Sequence, residues 1–216
     1  ALRTLGALPN IFALEAMIDD LANRCGKDPL DYRLALLSDE RACDVLSAVA
    51  KNAKWRDRGI GGDGWGLGLA FSRYKNMAAY AAIAVALRVD ERVNLEKIWV
   101  VADAGLVINP DGLRNQLEGG AIQGASWALK EQVALDGSGV SSLDWDAYPI
   151  LRFSEVPEIE ADIIDKPHEP SLGVGECAVP PTAAAIGNAV AHALGRRISH
   201  MPLSRERIMA ALLKSG

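Results

Sequence analysis

Six glycines fall within ten residues: Gly59, Gly61, Gly62, Gly64, Gly66 and Gly68. A helix interior loses about 1 kcal/mol for each glycine that replaces alanine, and a strand interior gains no packing from one. The stretch therefore reads as a loop or hinge. It divides a helical segment, residues 1–58, from a sheet-containing segment, residues 59–216.

The helical segment follows from periodicity. Ile11, Ala13, Leu14, Met17, Ile18, Leu21 and Ala22 recur at helical spacing after Pro9-Asn10, and Gly26 suits the stop. Asp28-Pro29 has the chemistry of a cap followed by a first-turn proline, and Asp39 can start a third helix with Cys43, Val45, Leu46, Val49 and Ala50 on one face. Beyond the glycines, residues 67–74, 79–89 and 97–102 read as strands, although the alanines of 79–89 fit a helix equally well. Asp90 to Asn94 is a turn. Asn109-Pro110-Asp111 opens a long helix to about Glu131, with Gly119, Gly120 and Gly124 inside it, so something must pack close to it. Residues 135–139 form a turn and 158–164 alternate as a strand. Helices over 181–194, ended by Gly195, and 204–213 close the chain. The order, helices and then a sheet with helices, predicts the α+β class.

Composition excludes several functions. Net charge is −5 with no lysine/arginine cluster, which argues against nucleic acid and anionic membranes as partners. No apolar run reaches the roughly 18 residues of a membrane span. Cys25, Cys43 and Cys177 contain no C-x-x-C pair, so free thiols, two of them in helices, are expected rather than a disulfide framework or an iron–sulfur ligand set. His168, His192 and His200 are too scattered for a metal site. Trp99, Trp127 and Trp145 are expected in the core.

One loop carries chemistry. In Gly173-Val174-Gly175-Glu176, the glycines let backbone approach a ligand, and the adjacent carboxylate can act as a base. Alone, that tetrapeptide is an ordinary turn. It gains weight from the ordered series around it: Val101 to Pro110, then Gln116-Leu117-Glu118-Gly119-Gly120-Ala121-Ile122-Gln123-Gly124, then Tyr148 to Arg152 with Glu155 to Glu160, then the glycine loop with Pro181 to Ala189. The start fits too, with Leu2-Arg3-Thr4-Leu5-Gly6, Phe12 to Glu15, Ile18-Asp19, Leu21-Ala22 and Asp28-Pro29.

In this order and over nearly the whole chain, the series resembles the C-terminal part of the molybdopterin-binding large subunit of xanthine oxidase/aldehyde oxidase type molybdenum hydroxylases. Ala70 to Asn76 and Leu151 to Pro157 look most like the isoquinoline 1-oxidoreductase branch. The resemblance implies a molybdopterin-binding fold with a mixed sheet and packed helices. It implies a molybdenum ion held by a pterin dithiolene and by no protein side chain. In that family a hydroxyl on the metal attacks an electron-poor carbon, water supplies the oxygen, and a glutamate takes the hydroxyl proton. Glu176 stands at that position, where a carboxylate serves best with a pKa near working pH. Gln116 matches a cofactor-binding glutamine, and Gly175 would let the loop approach the metal. Arg3 matches the arginine of an Arg-Gly-x-Gly stretch that contacts pterin or phosphate, with Thr4 in the usual glycine's place. Gly119 and Gly120 would admit the cofactor or a neighbouring chain, or simply close helix packing.

Other loops of that family are missing here, including a Gly-Gln-Gly-type stretch. The opening Ala1-Leu2-Arg3 also reads as the middle of a protein. The expectation is a shared active site: an upstream half or second molybdenum-subunit chain, an iron–sulfur subunit carrying the clusters, and a flavin or cytochrome subunit as a further candidate. The resemblance implies oxidative hydroxylation of an N-heteroaromatic compound or an aldehyde, with the pterin in its cytosine dinucleotide form. The competing reading is a non-catalytic structural subunit. Localisation, cytoplasmic or periplasmic, is not legible.

Overall fold

The computed structural model describes residues 2–213, so Ala1 and the last three residues of the second segment lie outside the described residues. The helical segment holds α1 (Ala7–Arg24), α2 (Pro29–Leu36) and α3 (Glu40–Asn52). The helix α1 starts two residues before Pro9, which the first turn tolerates because its N–H groups have no intrahelical partner. Asp28 caps α2 by accepting from the Leu30 amide at 2.8 Å and also accepts from the Trp55 indole at 3.0 Å. Asp39 caps α3 through the Arg41 amide at 3.0 Å. Each such cap contributes about 1 kcal/mol.

Next come β1 (Trp65–Arg73), β2 (Tyr80–Val89), β3 (Val93–Asp103), α4 (Pro110–Leu129), a small hairpin of β4 (Leu135–Asp136) and β5 (Gly139–Val140), β6 (Glu158–Ile164), α5 (Val179–Leu194) and α6 (Arg205–Leu213). The main sheet has the order β1-β2-β3-β6. The first three strands are antiparallel, and β6 joins β3 in parallel after the α4 crossover. This mixed sheet with packed helices is the expected class.

The alanine-rich stretch resolves as the central strand because both of its faces are covered. Ala81, Ile83, Val85 and Leu87 point into the core under α4 and α5. Ala82, Ala84 and Ala86 point into a second core with Val45, Leu46 and Val49 of α3. Burying a side chain the size of Ile83 or Leu87 contributes about 1.5–3 kcal/mol. Residues 1–58 do not stand apart: α1 packs on α5 and α3 packs on β2 and β3.

The glycine-rich stretch is only partly a loop. Gly66 and Gly68 lie inside β1, where a Cβ would overlap the backbone of Ala189 in α5. Gly61, Gly62 and Gly64 have positive φ. The Gly62 and Gly64 amides donate to the carbonyls of His192 and Ala193, which ties the loop to the end of α5 and leaves no free hinge. His192 is packed there, its Nδ1 accepting from the Leu67 amide at 3.2 Å.

Two smaller expectations change. Trp145 is 74% exposed rather than core, and the fully buried tryptophan is Trp55. Of the cysteines, only Cys43 lies within a helix; Cys25 is the residue after α1 and Cys177 sits in a turn. No helix among the described residues is long and apolar enough to cross a membrane.

Candidate active site

Four segments distant in sequence meet at the Gly173–Glu176 loop. Backbone bonds set the loop's path: the Leu172 amide donates to Ala104 and the Ala79 amide to Gly173. Cys177 follows, wholly buried, with its thiol donating to the Val174 carbonyl at 3.3 Å. Burial pushes that thiol up to about 12, which suits packing and not redox chemistry.

The helix α4 presses on the residues just after Glu176. A Cβ on Gly120 would stand 3.1 Å from the Ala178 Cβ, and one on Gly124 would crowd the Val179 carbonyl. Close packing therefore explains Gly120 and Gly124. Gly119 differs, because a Cβ there meets nothing within 4 Å. This approach carries Gln116 and Gln123, two helical turns apart on one face, to the rim of the loop.

Arg3 ties the rim together. Its Nε donates to the Gly175 carbonyl at 2.7 Å, Nη1 to Gln123 Oε1 at 3.0 Å and Nη2 to Gln116 Oε1 at 3.1 Å. Arg3, Gln116, Gly175 and Glu176 thus occur together. The next residue reaches the candidate base: the Thr4 amide donates to Glu176 Oε1 at 2.7 Å. Thr4 has φ 79° and Leu5 φ 53°. That left-handed region suits glycine and is strained for a β-branched residue.

Glu176 is half-buried, and its carboxyl lies below the usual carboxylate range. The Thr4 amide is the main cause, opposed by burial and helped by the Tyr74 hydroxyl and the charges of Lys75 and Arg3. Tyr74 is buried and its hydroxyl has no well-aligned partner. Burial and the nearby Glu176 carboxylate push that phenol up to about 12, so it stays protonated. The sequence reading assigned no role to Gln123, Tyr74 or Lys75. The spacing of Gln116 and Gln123 on one helix was the available signal for the first; the other two come from the turn after β1, which only the fold brings here.

The donor set suits a neutral heterocycle bearing a phosphate. Two amide side chains supply paired donor and acceptor atoms, and a guanidinium supplies charge. The loop beside them offers room: a Cβ on Gly173 meets nothing, and one on Gly175 would have as its nearest neighbour Gln116 Oε1 at 3.8 Å. Thr4 Oγ1 is buried with no partner. Outside this site, Asp103 is fully buried, receives the Gly105 amide and pairs with Arg41 at 2.6 Å, a structural role.

Comparison with known proteins follows the same lines. Residues 30–157 match the family model described as molybdopterin cofactor-binding domain. A subunit of the nicotinate dehydrogenase of Pseudomonas putida is 41% identical over all of this chain, and the beta subunit of isoquinoline 1-oxidoreductase of Brevundimonas diminuta is 32% identical over all of it. The chain spans 20% and 28% of the length of those two relatives. Among solved structures, the aldehyde oxidoreductase from Desulfovibrio gigas superposes on 99% of the chain with a TM-score of 0.81 at 15% identity, a likeness of fold, and matches over 42% of its own chain. Quinoline 2-oxidoreductase from Pseudomonas putida 86 is 26% identical with a TM-score of 0.59 over 63% of this chain and 19% of its own.

Proposed function

Because the chain belongs to the molybdenum hydroxylase family and carries its molybdopterin cofactor-binding domain, we propose that it forms part of an enzyme that hydroxylates an electron-poor carbon with oxygen from water, and that Glu176 is the base. The observation that carries this reading is the meeting of Glu176 with Arg3 and Gln116 around an open glycine loop.

When bound, the molybdenum–pterin group supplies the two-electron oxidation and the site from which oxygen is delivered. This chain's residues do the rest. Gln116 and Gln123 hold the heterocycle through their amides, and Arg3 neutralises its phosphate. Gly175 keeps the loop backbone close. Glu176 takes the proton from the attacking oxygen onto its carboxylate. The Thr4 amide holds that carboxylate ionised and aimed. In the uncovered site the carboxyl is a weak base, since its pKa is lowered. Covering a half-exposed carboxylate removes water and raises it toward the range where proton transfer is efficient.

Relatives named for nicotinate and isoquinoline favour an N-heteroaromatic substrate over an aldehyde. Both relatives are named as subunits, which supports a complex in which another chain carries iron–sulfur clusters. We assign the pterin its cytosine dinucleotide form, and a flavin or cytochrome subunit is a further candidate partner.

The test is metal analysis of the chain purified with whatever accompanies it natively. Molybdenum near one per chain, with about four irons from paired two-iron clusters on a partner, is the expected result. Well-folded protein with no molybdenum and no iron-bearing partner would return Glu176 to the status of a loop residue.

A further inference from the structure

The first helix is built inside out. Along α1, Glu15 and Asp19 are 3% and 6% exposed, whereas Leu14, Met17 and Leu21 are 46%, 53% and 39% exposed. A surface helix ordinarily turns its apolar residues inward and its charges to water. The inward charges are accounted for, because Arg33 pairs with Glu15 at 2.8 Å and with Asp19 at 3.4 Å. The outward residues, spaced three and four apart, make one apolar stripe along the helix.

That stripe runs into a cavity. Between α1, α2 and the end of β1 lies a hollow of about 270 Å³, whose lining includes Ile11, Leu14, Ile18, Leu36, Phe71 and Arg73. Two polar groups of the lining residues have no partner: the hydroxyl of the buried Ser72, and Arg73 Nε. Arg73 forms no hydrogen bond among the described residues. Its guanidinium is held over the Tyr80 ring at 4.6 Å and stands 3.9 Å from Asp39. That carboxylate already accepts from the Tyr80 hydroxyl and the Arg41 amide. The hollow is therefore apolar, with an unused hydrogen-bond donor and no acceptor left for it.

Three observations select the occupant. The cavity and the stripe are continuous through Leu14, so a small molecule filling the cavity would leave Met17 and Leu21 in water; the volume also falls below the roughly 300–1,000 Å³ of ordinary ligand pockets. The charges in the wall cancel as Glu15 with Arg33 and Asp39 with Arg73, so nothing calls for an ionic ligand. The free edge of β1 is closed to an added strand, because the Phe71 amide donates to Glu15, the Leu67 amide donates to His192 and the Leu69 carbonyl accepts from Asn188. What fits is a polypeptide that inserts apolar side chains and offers a backbone carbonyl. Two relatives contain this stretch as 20% and 28% of a single longer polypeptide. We propose that α1 and the cavity form an intrachain docking face. A further segment of the same polypeptide seats a large apolar side chain in the cavity, covers Leu14, Met17 and Leu21, and gives a carbonyl oxygen to Arg73. The assignment of Glu176 plays no part in this inference.

The experiment places a photoactivatable phenylalanine analogue at Leu36, which is 60% exposed at the cavity rim, in the full-length protein. Irradiation should give a crosslink within one polypeptide, with unchanged mass, to a segment outside residues 1–216. A crosslink to a second copy, to a different protein or to a small molecule overturns the proposal, and so does no crosslink at all. Peroxide oxidation of Met17 gives a second readout, since a covered methionine reacts only when its cover opens. Met17 should react more slowly in the native full-length protein than in the unfolded one. Leu14→Ser should speed the native reaction about tenfold, the worth of one buried leucine side chain. Native Met17 reacting as fast as unfolded, or unchanged by the substitution, overturns the proposal.

Discussion

The backbone amide of Thr4 donates to the Glu176 carboxylate at 2.7 Å across 172 residues of sequence. One end of the described chain thereby sets the position and charge of a group near the other. The contact depends on a left-handed threonine, φ 79°, wholly buried and with an unpartnered hydroxyl.

Thr4→Gly should therefore stabilise the protein. It removes a backbone strain of order 1–3 kcal/mol and an unsatisfied buried hydroxyl, offset in part by the greater freedom of glycine in the unfolded chain. A net gain of about 1 kcal/mol is expected in denaturant unfolding. The amide remains, so the acid limb of the pH–rate profile should stay in place. A loss of stability would show that the threonine side chain makes a contact that favours folding.

The titration of Glu176 in the cofactor-free protein has a defined sign. The folded-state pKa of Glu176 is depressed, so the carboxylate persists below the ordinary glutamate range and is lost only as pH falls through that lowered value. The same charge stabilises the fold above the unfolded pKa of about 4.5. Titration of the cofactor-free full-length protein, followed by the infrared carboxyl band, should place Glu176 protonation below 4.5. A value above that would mean the Thr4 contact does not form in solution.

A second buried charge cluster lies between α1 and α2. Arg33 donates to Glu15 at 2.8 Å and to Asp19 at 3.4 Å, with all three buried. Burial raises both carboxyls and Arg33 opposes it. Arg33→Met should cost about 3–5 kcal/mol at pH 7, since two buried charges lose a partner. A carboxyl with a raised folded-state pKa takes up a proton more readily folded than unfolded, so acid favours the fold at these two groups. The deficit should shrink between pH 7 and pH 5 in urea unfolding. A deficit that widens on acidification would contradict this account of the pair.

Two glycines make opposite predictions. Gly68→Ala puts a methyl into the Ala189 backbone and should destabilise by at least about 2 kcal/mol. Gly119→Ala, in the middle of α4 with open space beside it, should stabilise by about 1 kcal/mol. Thermal unfolding of both variants decides the matter. A destabilising Gly119→Ala in the assembled complex, but not in this chain, would locate a close approach by another chain or the cofactor.

The elements most legible in the sequence were those with a local signature. Asp28-Pro29 and Asn109-Pro110 marked helix starts through their capping chemistry, and the alternation of 158–164 gave β6. The gathering of Arg3, Gln116 and Glu176 followed from the ordered motifs. Gly66 reads as loop and Gly68 as both loop and strand, because the reason they sit in β1, the backbone of α5 lying on it, is a tertiary contact with no local trace. The strand identity of the alanine-rich β2 was hidden for the same reason, since it depends on cover from both sides. Tyr74 and Lys75 reach Glu176 only through the hydrogen bond between Ala79 and Gly173, which sequence spacing does not announce.

The central claim is that Glu176 is the base, and Glu176→Gln tests it most directly. The amide keeps the shape and removes the proton acceptor. Turnover by the assembled complex should fall by about 10²-fold or more, the contribution of a general base, while molybdenum content and thermal stability stay within error of the wild type. Turnover surviving within a few-fold at full molybdenum content would contradict the assignment.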